Sequence, residues 1–233
     1  MSILWSLVVL TLVVMAFKVR QHLKRLERAE FIRSYSFPQG LLAKLAEKRP
    51  GFTLKEQQLV SRGLRQFFIC NLMARGEFLS MPSYAVDDLW HEFILFTKHY
   101  GAFCNRAFGK FLHHSPAVVL SSQKVADQGL RRTWWFARKD ETINPVKPTR
   151  LPLLFALDSK LNLADGFHYV PNCNNYKSKN NGHSSAVNCA TDFGGRSADG
   201  SSGSDGFGDL GFSSADSGGS SCGGSRCGGG DGD

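Results

Sequence analysis

The first seventeen residues, MSILWSLVVLTLVVMAF, carry no charge and only Ser2, Ser6 and Thr11 as polar side chains. About 17 residues is the short end of what crosses a bilayer core, for which about 20 is typical. A cleaved signal peptide would place a basic residue before the apolar run and a small-x-small site after it. Nothing basic precedes Ile3, and the run ends in Met15-Ala16-Phe17-Lys18. A helix apolar all round is either buried in a core or spans a membrane, and a core helix fits poorly with an extreme N-terminus this uniformly apolar. The expectation is a single transmembrane helix over residues 1–17.

The flank sets its direction. Lys18, Arg20, Lys24, Arg25, Arg28 and Arg33 follow at once, and positive residues stay on the cytoplasmic side. That puts the N-terminus outside, the body in the cytoplasm, and the basic cluster against anionic headgroups of the cell membrane. The charge is uneven: residues 1–150 carry a net +12 and residues 151–233 a net −4. Basic charge without an aromatic-basic recognition motif predicts no specific nucleic-acid partner. The membrane is the expected partner, with protein partners possible, and no motif names a cofactor. The six cysteines form no CxxC pair, which argues against a zinc ribbon or a thioredoxin-like site. Cys70 and Cys104 fall on apolar helical faces, where free buried thiols are common.

Punctuation along the chain predicts an all-α body. Residues 18–52 form a basic juxtamembrane helical linker, broken at Phe37-Pro38-Gln39-Gly40 and at Pro50-Gly51, with a short helix over residues 41–48 between. Thr53-Leu54-Lys55-Glu56 is a capping box, and the helix it opens buries Val60, Leu64, Phe67, Phe68 and Leu72 at helical spacing. Ser83 caps a helix with Asp87 and Asp88 in its first turns, where acids suit the dipole. Its packing stripe is Val86, Trp90, Phe93, Thr97, Tyr100, Cys104 and Phe108. Ser115-Pro116 opens a helix over residues 117–139, with Trp134 on its packing side and Arg131, Arg132, Arg138 and Lys139 on a basic side. Residues 144–152 form an extended arm, residues 153–158 a short helix that closes the core, and residues 167–170 an extended segment on the surface. The compact helical domain spans residues 53–171. Residues 172–233 form a disordered tail, since 25 of the last 40 positions are Gly or Ser with little to bury. Cys222 and Cys227 within it could capture a metal or bond to each other.

The chemistry concentrates in MPSYAVDDLWHEFILFTKHYGAFCNRAFGKFLHHSP, residues 81–116, which holds four of the seven histidines. Asp87 and His91 lie four apart, so the carboxylate can orient the imidazole. A general base or a metal-bound histidine needs such a pair, and a surface hydrogen bond uses it too. Cys104 sits 13 residues after His91, about 220° around a continuous helix at about 100° per residue. The two therefore point apart unless Gly101 breaks the helix. His113 and His114 follow Gly109, which permits a helix end, and either could fold back. The candidate catalytic residues are Asp87, His91, His113 and His114, and the candidate metal ligands His91, Cys104, His113 and His114. His99 reads as a surface or packing residue.

Pro82-Ser83, Asp87, Trp90-His91, Tyr100, Cys104, Gly109 and Leu112-His113-His114 together resemble the plant and microbial glycine-rich-domain-containing-protein-like family. Its hallmark is a Pro-Ser and Asp-x-x-Trp-His-x-His helix, a Tyr-x-x-x-Cys step and a Leu-x-His ending. The resemblance covers about residues 59–116 and implies an all-helical domain with Asp87, His91, Cys104 and His113 or His114 as signature positions. The family's second histidine, two after His91, is Phe93 here. The expected function is a membrane-tethered interaction or scaffold module. The alternative is a metal-dependent or acid–base enzyme in which Asp87 orients His91 and His113 or His114 completes the site.

Overall fold

A computed structural model describes residues 2–114, 123–144, 148–171, 188–189 and 193. The chain divides into Met1–Gly200 and Ser201–Asp233, and every described residue belongs to the first unit. The described part is mostly helical. Its helices are α1 (Ser2–Ser34), α2 (Leu41–Lys48), α3 (Leu54–Ala74), α4 (Tyr84–Leu95), α5 (Thr97–Phe108), α6 (Gln123–Asp140) and α7 (Leu153–Lys160). Two short parallel strands, β1 (Tyr169–Val170) and β2 (Asn188–Cys189), pair Tyr169 with Asn188 and Val170 with Cys189.

Helix α3 is the hub. Thr53 and Glu56 cap it reciprocally, hydroxyl to amide and carboxylate to amide, which satisfies free N–H groups at its start. Val60, Leu64, Phe67, Phe68 and Cys70 line its buried face, and Leu72 is partly buried. Helices α1, α2, α4, α6 and α7 pack around it. Gly63 is required where α7 comes close, since a Cβ there would overlap the Leu157 side chain and meet Val86 Cγ2 at 2.9 Å.

Helix α1 runs unbroken through the point where the apolar run ends. At about 1.5 Å per residue its 33 residues make a rod of about 50 Å. Its first half is bare: large apolar side chains from Leu4 to Phe17 are 44–70% exposed. It is long and apolar enough to cross a membrane. Its last turns are core. Ile32 is fully buried, and Phe31 packs on Tyr35 and Phe103 at 5.5 and 5.8 Å with Arg106 over its ring. Arg28 donates to the Phe108 carbonyl, and Arg33 pairs with Asp140. Residues 18–52 therefore include structural members of the body, which corrects their reading as a linker. The physical reason is the run Ala29, Phe31, Ile32, Tyr35 and Phe37, whose apolar surface is covered by the bundle.

The C-terminal boundary also moves. Tyr169 is buried rather than laid on the surface, and Phe193 joins the core beside Trp134, Phe155 and Tyr169 at 5.9–6.3 Å. The packed body thus reaches past residue 171 to Phe193. An isolated aromatic beyond a polar stretch gives no periodic signal. Trp134 is core, as expected, but Arg138 is buried on the Trp135 ring at 3.6 Å rather than on a solvated basic side. Helix α6 is described from Gln123 onward, so the proposed cap at Ser115-Pro116 lies outside the described residues. Of the tail expected over residues 172–233, only residues 188–189 and 193 are described, and Cys222 and Cys227 lie outside the described residues as well.

Candidate functional site

Helix α4 carries the site, and two groups fix its first turn. Ser83 accepts from the Val86 amide as the N-cap. Asp158, buried on α7, accepts from the Ser83 hydroxyl at 2.6 Å, from the Tyr84 and Ala85 amides at 2.9 and 3.3 Å, and from the Phe167 amide at 3.0 Å. A carboxylate at this end is also favoured by the helix dipole. A little further along, Asp88 pairs with Lys48 and Arg49 at 2.8 and 2.7 Å, and Arg49 forks onto Asp165. The Arg49 guanidinium holds the Asp165 carboxyl below its ordinary value. Adjacent aspartates thus have separate roles: Asp88 ties α4 to α2, and Asp87 is left for the histidines.

Asp87 turns one carboxylate oxygen toward each histidine, in a hydrogen bond with His114 and a longer contact with His91. His114 Nε2 lies 2.9 Å from Oδ1, and His91 Nδ1 lies 3.4 Å from Oδ2. The two imidazole rings stand 4.3 Å apart, and His114 sets its edge on Trp90 at 4.5 Å. Side-chain exposure grades outward: His114 12%, Asp87 26%, His91 42%. The group forms a shallow site with a closed inner wall and an open outer edge.

A second lock brings His114 there. Trp90 Nε1 donates to the Tyr100 hydroxyl at 3.1 Å, and that hydroxyl donates to the Leu112 carbonyl at 2.5 Å. This pins the strand of chain leaving α5, whose turn at Gly109 has φ +74°. An added Cβ there would crowd Arg28. Burial, with the Cys104 sulfur nearby, pushes the Tyr100 hydroxyl well above its ordinary value, so it stays protonated as the donor to Leu112.

The structure sorts the candidates. Asp87, His91 and His114 converge, with one ligand atom from each within 4.8 Å of the others, and form the only such His/Cys/Asp/Glu group among the described residues. His113 points elsewhere, its ring 4.9 Å from Phe111. Cys104 is a buried free thiol behind the site, raised by burial, and reaches Tyr100 and Leu112 rather than the histidines. Cys70 is likewise free and buried. His113 and Cys104 therefore drop out of the ligand set. The helix does break between His91 and Cys104, but at Phe96 (φ −77°, ψ 59°) and not at Gly101, which lies inside α5 with open space around it. The break shifts the phase enough to leave Thr97, one of the expected packing residues, exposed. Phe93, where the resemblance would place a histidine, is buried among Tyr35, Phe37, Phe68, Tyr100 and Phe103. A histidine at that position would face the aromatic core, away from Asp87.

Asp158 and the Tyr100 hydroxyl were invisible to spacing rules. An acidic residue inside the apolar run LLFALD was the available clue to the first. Nothing local distinguishes a tyrosine whose hydroxyl bridges two elements from one that only packs.

Comparison with known proteins adds one match, to the family described as UCP032817-like, over residues 27–193. The chain belongs to that family. The matched span starts one residue before Arg28, where α1 meets the body, and ends on Phe193, the last described core residue. The match therefore covers the helical body, with Asp87, His91 and His114 inside it, and the exposed apolar half of α1 lies outside it. The match carries no information on the glycine-rich-domain resemblance of the Trp-His segment. No curated protein and no solved structure matches the chain.

Proposed function

We propose that the protein is a membrane-tethered interaction module. Its helix α1 crosses the cell membrane with the N-terminus outside, and its helical body works as a scaffold on the cytoplasmic side. The observation that carries this reading is the division of one helix into a bare apolar first half, an exposed basic stretch and last turns built into a core. A continuous exposed apolar surface of that size marks contact with lipid or protein. The absence of charge over residues 1–17 favours lipid, and the following basic residues favour the inward side.

Because the helix is continuous, the body does not hang on a flexible tether. Arg28 lies eleven steps along the helix from Phe17, so the body stands about 16 Å beyond the end of the apolar run at about 1.5 Å per residue. Lys18, Arg20, Lys24 and Arg25 occupy that interval, each worth about 1 kcal/mol near an anionic surface. The Asp87 site is presented from this fixed platform to partners in the aqueous phase.

The test is extraction of the full-length protein from membranes with alkaline carbonate, combined with protease treatment of sealed vesicles of known sidedness. The reading expects retention in the pellet after carbonate and cleavage of the body only from the cytoplasmic face. Release by carbonate, or cleavage from the outer face, contradicts it.

A further inference from the structure

From the geometry we infer that Asp87, His91 and His114 form a binding site for one divalent transition-metal ion of the zinc class, with at least one coordination position left open to solvent. This goes beyond the tethering proposed above and does not depend on it.

The distances fit a shared ion. Metal–nitrogen and metal–oxygen bonds to zinc are about 2.0–2.2 Å, so two ligands of a tetrahedral ion lie about 3.3–3.5 Å apart. Asp87 Oδ2 and His91 Nδ1 are 3.4 Å apart, and Asp87 Oδ1 and His114 Nε2 are 2.9 Å apart. Small side-chain rotations convert these contacts into three bonds to one centre. The same two nitrogens that face Asp87 would hold the lone pairs, with each ring proton on the other nitrogen.

The donor set chooses the ion. Two imidazoles and one carboxylate suit zinc and its neighbours, whereas magnesium and calcium take sites made mainly of oxygen. The supports are stiff: α4 is held by Ser83, Asp158 and Asp88, and His114 by the wall of Trp90 and the Tyr100 bridge to Leu112. Among the described residues the set offers three protein ligands rather than four, which leaves a position for water or an incoming oxygen ligand. His91, the most exposed of the three, places that position at the outer edge. Cys104 and His113 are too differently placed to be the fourth ligand.

The experiment uses the full chain in detergent, stripped with chelator and titrated with Co2+ and then Zn2+. The site predicts one ion per chain, a visible cobalt spectrum of a low-symmetry nitrogen–oxygen site, and no thiolate-to-cobalt charge-transfer band. Zinc should displace the cobalt, and azide should shift the cobalt spectrum by entering the open position. Losing even an outer-shell partner costs about 10–100-fold in metal affinity, so His91→Ala and His114→Ala should each weaken binding by more than about 100-fold. Asp87→Asn, which keeps the side-chain shape, should weaken it as well, while His113→Ala and Cys104→Ser should leave it unchanged. Helical circular dichroism of each variant confirms that the body is folded. Failure to bind either ion, or binding undiminished in folded His91→Ala/His114→Ala protein, overturns the site. A cobalt spectrum indifferent to azide overturns the open position.

Discussion

Single side chains in this body act as joints between elements, and Asp158 shows it most clearly. One carboxylate receives four donors from two separate parts of the chain, the start of α4 and Phe167. Removing an acceptor leaves buried donors unsatisfied at about 1–3 kcal/mol each, so Asp158→Ala should destabilise the body by roughly 3 kcal/mol or more, read from urea denaturation. A loss below about 1 kcal/mol, the size of one ordinary hydrogen bond, would show that the α4 cap at Ser83 suffices alone. Glu141 is a second joint. Burial alone would raise its carboxyl, but the Leu153 amide, Gln66 and Arg150 outweigh that and hold it below its ordinary value. A carboxyl depressed by folding contributes stability that is present above its ordinary value of 4.5 and is lost as pH falls through the folded value. Unfolding free energy should therefore drop on acidification below about pH 4.5. Glu141→Gln should flatten that drop, and an unchanged acid limb in the variant would exclude the linkage.

At the scale of elements, what the sequence declared and what it concealed divide along a physical line. Helices α2 and α3, the Thr53 capping box and the Ser83 cap were legible because local chemistry decides them: glycine and proline breaks, cap residues and helical spacing. The break at Phe96 was not, because no glycine or proline marks it and the tertiary packing of Phe93, Tyr100 and Phe103 sets it. The same holds for the site. Asp87–His91 follows from a four-residue step, while the choice of His114 over His113 depends on the Trp90–Tyr100–Leu112 lock, which joins residues with no fixed offset. The seam inside α1 was hidden because the helix is continuous and only the identity of its neighbours changes. That seam makes a sharp prediction. Deleting residues 1–26 should leave a body with its melting transition intact, since the core begins at the turns holding Phe31 and Ile32. Deleting residues 1–36 removes Phe31, Ile32 and Tyr35 from the aromatic core, and burying one such side chain contributes about 1.5–3 kcal/mol. The second truncation should therefore lower the melting temperature sharply or abolish the cooperative transition, as followed by circular dichroism. Equal melting of both truncations would refute the placement of the seam.

For the molecule as a whole, the central claim is that a single rod joins lipid to a folded body. Site-directed spin labels placed one at a time along residues 4–34, in the full chain reconstituted into liposomes, test it most directly. The account predicts labels over residues 4–17 that are accessible to oxygen and shielded from a water-soluble nickel complex. It then predicts water-accessible, mobile labels over residues 18–27 and immobilised ones at Phe31 and Ile32. Nickel accessibility along the whole of residues 4–17, or mobile labels at Phe31 and Ile32, would contradict it.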